Sequence, residues 1–217
     1  AISYLVAFIA SFVALDSVGR LPLASRKAAL LWRVACGVTL GIGIWSMHFI
    51  GMLSMKMPMI MSYHLWLTVG SLGIAVVAST LAINIAVPGK SLSPYRLILA
   101  TLILSAGVVS MHYVGMAALM LKGSIIWDRR IVLLSVLIAV IASGAALWLA
   151  FHLREKRKGV YITRLAAALV MAAAICAMHY TGMNAAHFHE MENTLPGGIS
   201  ELGLSIWVSV TTLCLLG

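Results

Sequence analysis

Seven apolar runs follow one another along the chain with only short polar breaks: Ile2 to Val18, Ala29 to Gly51, His64 to Val87, Leu97 to Met120, Ile131 to Leu153, Val160 to Ala185 and Leu202 to Gly217. A helix rises 1.5 Å per residue, so crossing a bilayer takes about 20 residues. In hydrocarbon the backbone can satisfy its own hydrogen bonds only as helix or closed barrel. Runs this long, in a chain 62% hydrophobic and 10% charged with mean hydropathy +1.05, predict an all-α integral membrane protein with seven transmembrane helices. Pro22, Pro58, Pro88, Pro94 and Pro196 all fall between runs, where breakers belong. The spans nearly use up the 217 residues, leaving no room for a soluble catalytic domain; residues 1–217 are expected to be one membrane domain without enzymatic activity of its own. Asp16 and Arg20 follow the first run rather than a basic flank preceding it, unlike a cleavable signal peptide. The opening on Ala1 and the close at Gly217 inside an apolar run lead us to expect a piece of a longer protein.

Positive charge sets an orientation. Arg20, Arg26, Lys27, Arg33, Lys90, Arg96, Arg154, Lys156, Arg157, Lys158 and Arg164 collect on one side; Lys56, Lys122, Arg129 and Arg130 collect on the other. Eleven against four makes the first side cytoplasmic by the positive-inside rule, with the N-terminus outside and the C-terminus inside. The formal net charge of +9 then sits against anionic lipid, which leaves nucleic acid as the poorer partner.

One string recurs three times at the outer end of every second run: Ser46-Met47-His48-Phe49-Ile50-Gly51-Met52, Ser110-Met111-His112-Tyr113-Val114-Gly115-Met116 and Ala177-Met178-His179-Tyr180-Thr181-Gly182-Met183. His48 and His112 are 64 residues apart and His112 and His179 are 67 apart, two spans in each case. The motif helices therefore run in the same direction, as parallel repeats about an axis along the membrane normal. Gly43, Gly107 and Ala174 also align, five positions before each histidine, and Gly37 with Gly41 makes a small-xxx-small spacing for close helix approach. The simplest assembly is three two-helix repeats around a pseudo-threefold axis, with the first helix added, so that three histidines share one depth.

An unpartnered polar group in hydrocarbon costs about 2–7 kcal/mol, so three imidazoles at one depth should face one another or a wet cavity. Their combination with thioethers favours copper: Met selects Cu(I), and His accepts Cu(I) or Cu(II). Met52, Met116 and Met183 lie four residues after His48, His112 and His179, on the same helix face. Met47, Met111 and Met178 point about 100° away and would ligate only if the helix loosened. Zinc is the alternative metal, since three imidazoles suit it equally. Bis-histidine haem would need two opposed imidazoles and a wide slot, which the neighbouring small residues disfavour. Core histidines with methionine as adaptable packing are the bland alternative, to which a single copy of the string would have pointed.

These strings, on the second, fourth and sixth of seven runs, together with Ala14-Leu15-Asp16 and Arg20 in the first, resemble the MHYT family of bacterial membrane sensor domains. The resemblance spans nearly the whole chain. It implies a multi-pass domain of the bacterial inner (cytoplasmic) membrane that binds copper through the Met and His residues and senses a diatomic gas such as nitric oxide, oxygen or carbon monoxide. It also implies cytoplasmic cyclic-di-GMP synthesis or hydrolysis domains after residue 217. Only Met178-His179-Tyr180-Thr181 carries the full consensus; Phe49 with Ile50 and Val114 depart from it, so the tyrosine hydroxyl is not required in every repeat.

A metal transporter or channel using a His/Met relay is the competing class, but the middle and inner halves of these helices carry almost no polar groups. Met52, Met55, Met57, Met59 and Met61 crowd the region after the first string, as flexible packing or a metal-gathering funnel; His187, His189, Glu190 and Glu192 form a polar loop. Cys36, Cys176 and Cys214 have no disulfide spacing, although Cys176 precedes His179 by three and shares part of its face. Asp16 is expected to pair with Arg20 or Arg33. Oligomeric state is left open.

Overall fold

The computed structural model describes residues 2–19, 26–55, 61–88, 91–120, 123–153, 160–190 and 198–216. Among these residues seven helices form: α1 (Ile2–Gly19), α2 (Arg26–Leu53), α3 (Leu65–Ala86), α4 (Pro94–Ala117), α5 (Arg129–His152), α6 (Val160–Asn184) and α7 (Glu201–Leu216). Five of them, α2 to α6, are long and apolar enough to cross a membrane, whereas α1 and α7 are shorter apolar helices. Apolar side chains such as Trp66, Leu81, Ile98 and Ile141 lie exposed on the outside, as a lipid-facing surface requires. Helix starts follow local chemistry. Ser93 caps α4 by accepting from the Arg96 N–H, with Pro94 in the first helical position, where its missing donor costs nothing. Asp128 caps α5 through the N–H groups of Arg130 and Ile131.

The helices α1 to α6 close into a ring, each packing on its sequence neighbour and α1 packing on α6. The helix added outside the ring is α7, which lies against α2; the first helix, expected to be the extra one, is a full member. The reason is the narrow face of α1, where Ser3, Ala7, Ala10, Ser11 and Ala14 are buried and the Ala10 Cβ fills the space beside Gly43. By contrast α7 brings the bulky Trp207 against Trp45, ring centroids 5.3 Å apart. The close approach expected of Gly37 and Gly41 is present: both meet backbone of α3, at Thr80 and Val76. Gly107 stands to Ala78 of α3 as Gly43 stands to Ala10 of α1.

Five short strands, β1 (Ser62–Tyr63), β2 (Leu119–Met120), β3 (Gly123–Trp127), β4 (Ala186–Glu190) and β5 (Ile199–Ser200), add to the helices. All follow motif helices, so the C-terminal ends of α2, α4 and α6 lie at one end of the bundle. The strands form two antiparallel sheets, β2-β1-β5 and β3-β4, so that the three connections after α2, α4 and α6 pair with one another in a cycle. The cycle continues in the connections, where the His64 N–H donates to the Ala118 carbonyl and the Asp128 N–H to the Ala185 carbonyl. Segments of two to five residues are too short to display a strand period, which is why Met120 reads as helix in the sequence and belongs to β2.

At the opposite end, Asp16 pairs with Arg164 of α6 at 3.3 Å, not with Arg33, and Arg20 lies outside the described residues. Membership of α1 in the ring accounts for this partner, because it sets α1 beside α6. Arg164 also donates to the Leu153 carbonyl at the end of α5, and Arg96 donates to the Ile85 carbonyl near the end of α3. Each arginine thereby satisfies a helix C-terminus with orphan carbonyls and partial negative charge. Arg33 bonds Asn84 instead.

Gly41→Val would drive a side chain into the backbone of α3, since even a Cβ there lies 2.6 Å from the Val76 Cα. The expected cost is about 1–3 kcal/mol, read as a lower thermal midpoint of the purified chain in lipid. A Cβ at Gly73 meets nothing within 4 Å, so Gly73→Val is expected to leave the midpoint nearly unchanged.

Candidate metal centre

The ring brings His48 of α2, His112 of α4 and His179 of α6 to one point, where all three are fully buried. Their Nδ1 atoms form a triangle with sides of 3.1 Å (His48 to His179), 3.2 Å (His48 to His112) and 3.4 Å (His112 to His179). The rings stand edge to face, with centroids 4.9, 5.0 and 5.3 Å apart. Three side chains separated by more than sixty residues each thus present the same atom to a common centre.

The other edge of each ring is equally regular. Nε2 of His48 occupies the place where a side chain on Gly115 would stand, Nε2 of His112 does so at Gly182, and Nε2 of His179 at Gly51. Each histidine thus rests on the glycine of the next repeat in cyclic order. None of the three Nε2 atoms has a hydrogen-bond partner among the described residues.

Hydrogen bonding alone does not satisfy this triangle. A neutral imidazole has one N–H and one in-plane lone pair, on different nitrogens. A closed ring of three Nδ1-to-Nδ1 bonds would need every Nδ1 to donate and accept at once, so some Nδ1 atoms must meet lone pair to lone pair or N–H to N–H. A cation among three Nδ1 lone pairs removes that conflict. With metal–imidazole bonds of about 2.0–2.1 Å, neighbouring tetrahedral ligands lie about 3.3–3.4 Å apart, so the three nitrogens fit one face of such a site. The cluster also qualifies by composition, being three buried histidines with all ligand atoms within 4.8 Å of one another. Which metal it could hold is a separate matter.

The repeat that builds this centre is itself a known one. Residues 41–100, 106–163 and 173–217 match MHYT, the bacterial signalling protein N-terminal repeat. The chain belongs to the MHYT family. It is 44% identical over its whole length to the bifunctional diguanylate cyclase/cyclic di-GMP phosphodiesterase MucR of Pseudomonas aeruginosa, covering 32% of that protein. It is 32% identical to the signaling protein YkoW of Bacillus subtilis, over 98% of this chain and 26% of YkoW. To the cyclic di-GMP phosphodiesterase NbdA of P. aeruginosa it is 40% identical, over 85% of this chain and 24% of NbdA. The chain therefore spans a third or less of the length of these relatives. No solved structure matches it.

The remaining residues of the MHYT strings divide by role. Met47, Met52, Met111, Met116, Met178 and Met183 are all buried in the core, Met47 in a separate cluster with Ala7, Ala172 and Cys176. The residue after each histidine packs edge-on against it, with ring centroids 4.8 Å apart for Phe49, 4.8 Å for Tyr113 and 4.9 Å for Tyr180. The two tyrosine hydroxyls point away from the triangle. Tyr113 bonds Ser135 of α5 at 2.8 Å and Tyr180 bonds Ser3 of α1 at 2.9 Å, while Phe49 lies 5.9 Å from Tyr63 in β1. The three glycines that seat the imidazoles were not singled out by sequence reasoning, although their place three after each histidine was open to view.

The other candidates lie apart. Met52 and Met61 are core residues rather than loop residues, and Met57 and Met59 lie outside the described residues. His187 is exposed on β4, and the side chains of His189, Glu190 and Glu192 are not among those described.

Because the tyrosine hydroxyls tie the motif helices to their neighbours and not to the triangle, Tyr113→Phe is expected to cost about 0.5–1.5 kcal/mol of stability. Metal content after equilibration with copper or zinc should equal that of the unaltered chain, which elemental analysis of the purified variant checks.

Proposed function

We propose that this chain is the sensor domain of a bacterial cyclic-di-GMP signalling protein, holding copper near the periplasmic face through His48, His112 and His179. The convergence of three Nδ1 atoms within 3.4 Å in an apolar core carries this reading. The activities that MucR and NbdA are named for support the output, and the description of the repeat as N-terminal in bacterial signalling proteins supports the place of this chain ahead of such catalytic regions. On this reading all seven helices cross the inner membrane. The strands and histidines lie outside, the ends bearing Arg33, Arg96 and Arg164 lie in the cytoplasm, and the output domains follow residue 217.

Copper is favoured over zinc because thioethers accompany every histidine, and sulfur ligands select Cu(I). Met52, Met116 and Met183 are the first candidates to complete the ligand set, with Met47, Met111 and Met178 the second.

A diatomic gas is the proposed signal, and a cavity of about 30 Å³ between α2, α4, α5 and α6 supports it. Its lining includes Ile44, Val108 and Ile175, one turn inward from the histidines, and Leu40, Leu104 and Met171, two turns inward. Such a lining suits a small apolar molecule, being hydrocarbon apart from the Ser143 hydroxyl and the thioethers of Met171 and Met178. The same residues count against a transporter, which needs polar groups along the path.

A ligand shifts an equilibrium only by its differential affinity for two states. Here those states would differ in the spacing of three histidines, each carried by one helix whose far end bears one of the three arginines.

Cyclic-di-GMP turnover by the full-length protein in membranes should respond to added copper or nitric oxide, and His179→Ala should abolish that response. A variant that responds like the unaltered protein would show the triangle to be structural. Replacing Met52, Met116 and Met183 by Leu is expected to lower Cu(I) affinity about tenfold or more, about 1.4 kcal/mol per tenfold. The same change at Met47, Met111 and Met178 should cost less, as competition with a Cu(I) chelator will measure.

A further inference from the structure

We propose that Gly51, Gly115 and Gly182 are positioning residues of the metal centre: each seats the Nε2 edge of the histidine from another repeat and thereby commits Nδ1 to the ion. The inference rests on the three-histidine metal site proposed above and adds which nitrogen binds, and why.

An imidazole can bind a metal through either nitrogen, and the choice is usually set by a hydrogen bond to the other one. Among the described residues nothing accepts from Nε2 of His48, His112 or His179, so no such bond makes the choice here. Shape does. A Cβ on Gly115 would overlap Nε2 of His48 and lie 2.9 Å from its Cδ2. At Gly182 it would overlap Nε2 of His112, with Cδ2 at 3.0 Å, and at Gly51 it would overlap Nε2 of His179, with Cδ2 at 2.9 Å. A flexible side-chain tip elsewhere could swing aside. These rings cannot, because the opposite edge of each is already against two other imidazoles.

The missing side chain therefore does two things at once. It lets the Nε2 edge sink against the neighbouring helix, and it leaves the Nδ1 edge at the distance where three of them meet. Any side chain at the glycine must push the ring inward past its partners or out of the triangle. The relation is cyclic, so the affected histidine is never the one in the glycine's own string.

Gly43 and Gly107 supply the contrast. A Cβ at either would overlap an alanine Cβ, Ala10 or Ala78, at helix contacts about one and a half turns from a histidine but without touching one. Gly107→Ala is thus a comparable steric insult with no reason to alter the ligand set.

The test uses the chain in lipid bilayers, labelled with ¹³C and ¹⁵N at histidine and loaded with Cu(I), which is diamagnetic. Solid-state NMR distinguishes Nδ1 from Nε2 ligation in the unaltered chain. Three histidines ligated through Nδ1 with Nε2–H are expected, and ligation through Nε2 would overturn the proposal while leaving the metal site itself standing. Gly115→Ala should remove one Nδ1-ligated histidine and lower Cu(I) affinity at least tenfold, whereas Gly107→Ala should keep all three even if its thermal midpoint falls. In a His48→Ala background Gly115→Ala should cost no further affinity, and in a His112→Ala background it should still cost about tenfold. Retention of three Nδ1 ligands at unaltered affinity in Gly115→Ala would overturn the proposal. If Gly115→Ala does not fold, the nitrogen assignment in the unaltered chain still decides. A chain that takes up neither copper nor zinc would instead bring down the metal reading, and this inference with it.

Discussion

Three imidazole edges within 3.4 Å of one another can be brought together only by helices that approach very closely, and close approach requires that side chains be missing where the helices touch. Gly51, Gly115 and Gly182 meet that need around the histidines, and Gly37, Gly41, Gly43 and Gly107 meet it along the rest of the ring. The six-helix closure, the place of α1 between α6 and α2, and the cyclic pairing of the strands all serve the same geometry. Remove the convergence and three buried imidazoles face an apolar core without partners, at about 2–7 kcal/mol each.

The two ends of the bundle are held differently. Beside the histidines the contacts are cyclic: strand to strand, cap to carbonyl, ring to glycine, each repeat leaning on another. At the far end Arg96 and Arg164 clamp the C-termini of α3 and α5, and Asp16 fastens α1 to α6 through Arg164. Between these ends lies a stretch with an apolar lining and unfilled volume. Packed interiors transmit displacement because they are dense, and a void gives one region freedom to repack. Such an arrangement suits a site whose state must be felt at the opposite end.

Much of this was legible from residues alone. Run lengths gave the helices, the spacing of His48, His112 and His179 gave a shared depth, and the shared string placed one imidazole on each of three helices. What the sequence hid was relational. Nothing in Ala7, Ala10 and Ala14 says that α1 will sit between α6 and α2, because a face of small residues fits any close neighbour. The pairing of Asp16 with Arg164 was hidden for the same reason, the two lying 148 residues apart. Strands of two residues leave no period to detect. The role of the glycine three after each histidine is invisible within one string, since its contact is with another repeat.

The central claim is that one ring makes one centre from three repeats. Metal analysis joined to X-ray absorption on the copper-loaded chain tests it directly, by counting ions per chain and imidazoles per ion. The expected result is one ion with three imidazole nitrogens at about 2.0 Å, the distance such bonds take. Several ions per chain, or an ion with a single imidazole, would mean that the histidines act separately and that their convergence is packing alone.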